Sequence, residues 1–166
     1  MQGILYSIIL YPIFYILSAY VANGAPVLFG GGAPLDRNKK LNGKPIFGRH
    51  KTANGFTAGV ASGILIGFIE SFFVPYMFAI GIYLSLGALT GDLAGSFFKR
   101  RLGIREGKSN IVLDEYFFLF FALLFAFPSG NLPSLYGIIF LIILTGVLHK
   151  FTNYAAYRLG LKKVPW

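Results

Sequence analysis

Charged residues are missing from four long stretches of the chain: Met1–Leu35, Thr52–Ile69, Ser71–Gly91 and Tyr116–Leu148. Between them lie short polar segments rich in lysine, arginine, glycine and proline. About 20 consecutive apolar residues are needed to cross the hydrocarbon core of a bilayer. The charges and the Pro/Gly breaks divide the chain into five such spans, at about 3–22, 53–70, 75–98, 113–128 and 134–152. The fourth is the shortest, and the turn Ile111–Leu113 extends its start. Pro128, Gly130 and Pro133 mark a tight turn between the last two. The spans are expected to be helices, because lipid offers no partner for backbone polar groups and no segment alternates as a barrel strand does. The fold class is therefore all-α: a polytopic membrane protein of five transmembrane helices forming one domain over 1–166.

Composition agrees. The chain is 55% hydrophobic and 13% charged, where a soluble domain carries about 25% charged residues. There is no cysteine, which excludes disulfides, thiol catalysis and cysteine metal sites. Met1-Gln2-Gly3 holds no basic residue, so the first span reads as retained rather than as a cleaved signal.

The charge, +9 overall, is one-sided. Arg37, Lys39, Lys40, Lys44, Arg49 and Lys51 form one basic stretch, Lys99, Arg100, Arg101, Arg105 and Lys108 a second, and Lys150, Arg158, Lys162 and Lys163 a third. In a five-span chain all three lie on one side, while the other holds Glu70 and no basic residue. The positive-inside rule makes the basic side cytoplasmic, with the N-terminus outside and the C-terminus inside. Basic loops this short, held against a membrane, read as headgroup and topology contacts rather than as a nucleic-acid surface.

Asp92 breaks the apolar pattern inside the third span. An ionisable residue there is costly and by default functional. Asp92, Ser96 and Lys99 fall on one helical face, with Arg100 to one side. Asp114 opens the fourth span beyond a basic loop. Two acids bracketing such a loop suit magnesium and phosphate, with oxygen ligands for the metal and lysine or arginine for the anion. The plainer reading is an ion pair of Asp92 with Lys99 or Arg100. Spacing alone reaches only a phosphate or other anion at the cytoplasmic interface. The first loop, rich in glycine, asparagine and lysine and ending in Lys51-Thr52, points the same way. His149, near the end of the fifth span, reads as an interfacial residue, and the phenylalanines around 117–127 as core or lipid-facing.

These blocks carry a resemblance. GDLAGSFFKRRLGI followed by LD resembles the signature of the membrane cytidylyltransferases, a group that includes the CDP-diacylglycerol synthases. With YVANGAPVLFG early and YRLGLKKVPW at the end, the chain is similar over nearly its whole length to the archaeal CDP-archaeol synthases. The resemblance implies transfer of CMP from CTP to a prenylated glycerol phosphate lipid, 2,3-di-O-geranylgeranylglyceryl phosphate, with magnesium as cofactor. It implies that Asp92 and Asp114 are metal ligands, and that Asp92, Lys99 and Asp114 are catalytic. Asn23, Lys51, Thr52, Ser96, Lys99, Arg100 and Lys108 are then expected to bind the nucleotide, and Pro26 matches the proline at the exit of the first span.

The chain departs from that pattern in places. The family pattern D-x-x-D at the fourth span lacks its second acid here, because Phe117 stands three residues after Asp114. Glu115 points about 100° away from Asp114 on a regular helix, so it takes that place only if the turn is irregular. The first loop reads Gly48-Arg49-His50-Lys51-Thr52 in place of G-D-G-K-T. A phosphatidyltransferase is excluded by the absence of its D-G-x-x-A-R type helix. A transporter places its site near the midplane, whereas these charges gather at one face. A non-catalytic scaffold held to acidic lipid is the remaining rival.

Overall fold

The computed structural model describes residues 2–106, 108 and 110–160; Lys162, Lys163 and the terminal Val164-Pro165-Trp166 lie outside the described residues. Among the described residues, five helices are long and apolar enough to cross a membrane: α1 (Gly3–Phe29), α2 (Ala53–Ser71), α3 (Met77–Arg101), α4 (Val112–Ser129) and α5 (Leu135–Arg158). The expected spans are all present, with three ends displaced. α1 runs on to Phe29, so Asn23 and Pro26 lie within the helix rather than in its exit. α3 reaches Arg101 and α5 reaches Arg158, so Lys99, Arg100 and Arg101 form the last turn of α3 and Lys150 lies within α5.

α3 is the central helix: half of its span is buried, against 17% for α5. The core joins Tyr15, Ile16 and Ala19 of α1, Met77, Ile80, Leu84 and Ala88 of α3, and Phe118, Leu119 and Ala122 of α4. The phenylalanine-rich run divides between the two expected environments, since Phe118 is buried and Phe120 and Phe127 face outward.

Small residues set the helix spacing. A methyl group on Gly87, Gly91 or Gly95 would run into the carbonyl oxygens of Phe121, Phe117 and Leu113, so the α4 backbone lies directly on this α3 ridge. On α2, Gly59 and Gly63 approach Ala22 O and Ser18 O of α1, each 2.7 Å from where a Cβ would stand. Ala22 O is the carbonyl that Pro26 leaves without its helical donor. Close packing through small residues is the usual device for helices in lipid, where no hydrophobic force draws them together. At the other end of the molecule from the basic loops, Glu70 is buried, and Ser18 Oγ donates to its Oε2 at 3.0 Å.

The first loop is ordered rather than an open tether. Strands β1 (Lys40–Leu41) and β2 (Lys44–Pro45) form an antiparallel hairpin around Asn42-Gly43, both at positive φ, as a type I′ turn requires. Arg101 at the end of α3 donates to the carbonyl oxygens of Leu41, Lys44 and Pro45, and Lys44 Nζ donates back to Arg101 O. The hairpin is thereby fastened to α3 beside the basic face.

Candidate functional site

A cavity of about 910 Å³ opens where α1, α3, α4 and α5 meet the two basic loops. All nine sequence-derived candidates line it: Asn23, Lys51, Thr52, Asp92, Ser96, Lys99, Arg100, Lys108 and Asp114. Pro26 and His50 line it as well.

The charges are not paired as the plainer reading had them. Asp92 meets neither Lys99 nor Arg100. Its two carboxylate oxygens accept from Lys51 Nζ, each at 2.6 Å, across the gap between the first loop and α3. Lys99 instead turns to α4, where its Nζ lies 2.8 and 3.0 Å from the oxygens of Asp114. The reason is reach. Asp92 and Lys99 share a helical face but lie two turns apart on it, whereas Lys51 and Asp114 enter the cavity from other elements. Asp114 also accepts from the backbone N–H of Asn110, which ties it to the loop.

Thr52 has a structural task at the cavity wall. Its Oγ1 accepts from Gly55 N at 3.1 Å, capping α2, and from Gly31 N at 3.3 Å. Leu35 N donates to Lys51 O, and Ala53 N to Ala33 O, so the stretch carrying Lys51 is sewn to the end of the Gly30–Gly32 run. Asp36 holds the other side of the loop. Burial works to raise its pKa, but backbone N–H groups of Phe47, Gly48 and Asn38 donate to the carboxylate and hold it below the ordinary value. Asp36 is therefore a loop clamp, and it does not line the cavity.

Arg100 stands out electrostatically. It is 8% exposed, lines the cavity, and its Nε has no hydrogen-bond partner among the described residues. Burying a guanidinium with part of its hydrogen bonding unmet is expensive.

Glu115, His149 and Asn153 are the lining residues that the sequence reading missed as a group. α4 opens with a wide π turn, Val112–Tyr116, so Asp114 and Glu115 both face the cavity despite being adjacent. This is the irregular turn that the missing second acid required. Glu115 Oε1 is in close contact with His149 Nδ1, and Asn153 Nδ2 lies 3.0 Å from the same ring. His149 therefore belongs to the cavity wall. The spacing His149-x-x-x-Asn153 on one helix face was the signal available.

As a metal site, the donor set is all oxygen. Asp92 and Asp114 line the cavity together with two further carboxylates, Glu106 and Glu115, and no group of three or more His, Cys, Asp or Glu side chains that could hold a metal gathers among the described residues. That suits magnesium, which is held by one or two carboxylates and completed by substrate phosphates, and does not suit a closed protein cage.

The family model for CarS-like CDP-archaeol synthases matches residues 5–166. The CDP-archaeol synthase of Pyrococcus horikoshii is 44% identical over 92% of this chain and 94% of its own length. That of Methanopyrus kandleri is 43% identical over 93% and 91%. A solved structure, described as giving structural insight into an intramembrane enzyme for archaeal membrane lipids biosynthesis, superposes with a TM-score of 0.83 at 34% identity. It covers 87% of this chain and 94% of that one.

Proposed function

The chain belongs to the CDP-archaeol synthase family, membrane-embedded cytidylyltransferases of archaeal lipid biosynthesis, and from that premise we propose how its cavity works. CTP binds with its phosphates among Lys51, Lys99, Arg100 and Lys108. The acceptor is the prenylated glycerol phosphate, 2,3-bis-O-(geranylgeranyl)-sn-glycerol 1-phosphate, whose chains remain in the bilayer. A phosphate oxygen of the lipid attacks the α-phosphorus of CTP. The new P–O bond forms as the bond to the β-phosphate oxygen breaks, and the products are CDP-archaeol and pyrophosphate.

The nucleophile is already an anion at neutral pH, so no strong base is required, and the Ser–His and Cys–His pairs of acyl transfer are not needed. The obstacle is the approach of two anions. Arg100 supplies a fixed positive charge that has no competing partner among the described residues. Lys51 and Lys99 are held on the carboxylates of Asp92 and Asp114 until substrate arrives. Bound magnesium, held by Asp92 and Asp114, would neutralise the triphosphate and the departing pyrophosphate. Lys99 then shares its charge between Asp114 and the phosphates, and Ser96, a turn before it, adds a hydroxyl. The site faces the cytoplasm, with the N-terminus outside and the C-terminus inside.

The observation that carries this reading is the buried Arg100, its Nε without a hydrogen-bond partner among the described residues, in a cavity that also holds two lysine–carboxylate pairs. The test is heat stability with nucleotide. A ligand that binds the folded state alone stabilises it by RT ln(1 + [L]/Kd), about 2.7 kcal/mol at a hundred times Kd. CTP with magnesium should raise the melting temperature, and ATP or GTP should not. Equal protection by all three nucleotides would remove the reading.

A further inference from the structure

We propose that Glu115 and Asn153 read the pyrimidine edge of the nucleotide, with His149 as the positioning residue that holds the Glu115 carboxylate in place. The inference rests on the CTP reading above and adds to it the means by which cytosine is told from uracil.

The cavity lining is of two kinds. Lys51, Lys99, Arg100 and Lys108 are basic, with Lys51 paired to Asp92 and Lys99 to Asp114. Tyr20, Phe118, Thr145, His149 and Asn153 are aromatic or hydrogen-bonding residues. Contacts run within this second set. The rings of Tyr20 and Phe118 meet edge to face at 5.9 Å, and Tyr20 and Thr145 share a hydrogen bond of 2.7 Å. Phe118 stands one turn along α4 from Glu115, and Glu115 contacts His149, which contacts Asn153. A nucleotide has the same division, with anionic phosphates at one end and an aromatic heterocycle at the other. Aromatic side chains stack on any base, so these rings supply affinity without choice.

Choice needs hydrogen bonds, and Glu115 is oddly placed for any other task. It is one of four acids lining a cavity for anionic substrates, with Asp92, Asp114 and Glu106, the last of which accepts from Arg49 N. Asp92 and Asp114 are each paired with a lysine, whereas among the described residues Glu115 has an ion-pair-distance contact with the His149 ring alone. A carboxylate facing phosphate would oppose binding. A carboxylate facing an amino group would favour it. Cytosine presents an exocyclic N4 amine, a donor, next to N3, an acceptor. Uracil presents O4, an acceptor, next to N3–H. A carboxylate accepts and does not donate, so it pairs with N4 of cytosine and meets O4 of uracil with like polarity. The Asn153 amide supplies the donor for N3 or O2. The side chains of Glu115 and His149 are only 15% and 12% exposed, so water is a poor substitute partner there. A site built to satisfy a substrate donor rejects the analogue lacking it by about 10⁴–10⁵-fold.

The experiment uses the full-length protein in detergent or bilayer, the prenylated glycerol phosphate acceptor, magnesium, and CTP or UTP as the nucleotide. The wild-type protein should strongly prefer CTP in kcat/KM. Glu115→Gln keeps size and gains a donor for O4, so the CTP:UTP ratio should fall by about 10²-fold or more. Asn153→Ala should raise KM for CTP and lower the ratio with kcat less affected. His149→Ala should lower the ratio partially, and His149→Gln, which retains a donor toward Glu115, should restore part of it. An unchanged ratio in both Glu115→Gln and Asn153→Ala overturns the proposal. So does an unchanged ratio with a raised magnesium requirement in Glu115→Gln, which would make Glu115 a metal ligand. Failure of the wild-type protein to transfer any cytidylyl group would instead count against the underlying reading.

Discussion

Lys51 sets its ammonium 2.6 Å from both carboxylate oxygens of Asp92, forty-one residues away, and so joins the first loop to the central helix. The two side chains are 28% and 20% exposed. A pair this accessible contributes about 0–1 kcal/mol to stability, too little to explain an acid within a membrane helix. What the pair does is hold Lys51 of the first loop against the central helix at the cavity wall.

Asp92→Asn should therefore fold and insert normally, with CMP transfer reduced by about 10²–10³-fold, the scale of losing one electrostatic stabiliser of a transition state. The double change Asp92→Asn with Lys51→Met should recover any lost stability and none of the activity. Asp114→Asn should behave in the same way. Near-normal turnover in Asp92→Asn, measured at saturating magnesium, would make the metal assignment wrong.

The five helices were legible because uncharged runs of bilayer length leave few alternatives. The nine candidate residues, picked out by type and spacing, line one cavity. The pairing of the charges was not legible. Lys51–Asp92 and Lys99–Asp114 are contacts between elements, and helical periodicity speaks only of neighbours on one helix. Nor was the π turn at Val112–Tyr116 visible, and with a regular turn assumed Glu115 pointed away from the site. The hairpin did have a signal, Leu41-Asn42-Gly43-Lys44, since Asn-Gly favours a type I′ turn.

Asp36 gives the first loop a pH-dependent stability. Its carboxylate accepts from three backbone N–H groups, and its folded pKa lies below the unfolded value of about 3.9. A depressed folded pKa contributes stability that is present above the unfolded pKa and is lost as pH falls through the folded one. Asp36→Ala should cost about 1–3 kcal/mol of local stability at pH 7, because three donors lose their acceptor. Hydrogen exchange at Phe47 and Gly48 reads it directly. The difference from wild type should shrink once the pH drops below 4. A difference that persists unchanged at pH 2 would mean that the contribution does not depend on the charge.

The glycine ridge on α3 fixes how near Asp114 comes to Lys99. Gly95→Ala puts a methyl group onto the carbonyl oxygen of Leu113, the residue before Asp114. Relief requires the start of α4 to move. Overpacking of this kind costs about 1–3 kcal/mol or more, and here it also shifts a proposed metal ligand. Activity should fall more steeply than stability. Gly3→Ala, with nothing within 4 Å of the added carbon, is the control and should change neither. A fully active Gly95→Ala protein would show that the α4 start is free to adjust.

Membrane orientation follows from the charge on the loops. A tag at the N-terminus should be reachable only from outside the cell, and a tag at the C-terminus only from the cytoplasm, since the basic loops favour that side. Both tags appearing on one side would contradict the odd number of spans. A reversed result would place the nucleotide site away from cytoplasmic CTP.

Arg100 separates binding from folding most clearly. It is buried at 8% exposure with an unpartnered Nε, so without substrate it lowers stability. Removing such a charge in favour of an apolar side chain of similar length should leave the ligand-free protein as stable as before, or more stable by about 1–4 kcal/mol. Arg100→Met should thus melt at the same or a higher temperature without nucleotide. The rise in melting temperature produced by CTP with magnesium should shrink, and KM for CTP should increase by about 10–10²-fold, as expected for a lost charge-assisted contact to phosphate. Arg100→Lys should fall between, since an ammonium keeps the charge and loses the planar fork that pairs with two phosphate oxygens. A structural arginine predicts the reverse: Arg100→Met would melt lower, and the protection by CTP would be intact. Comparing the melting curves of the two variants with and without CTP decides between these outcomes, and it does so without requiring turnover.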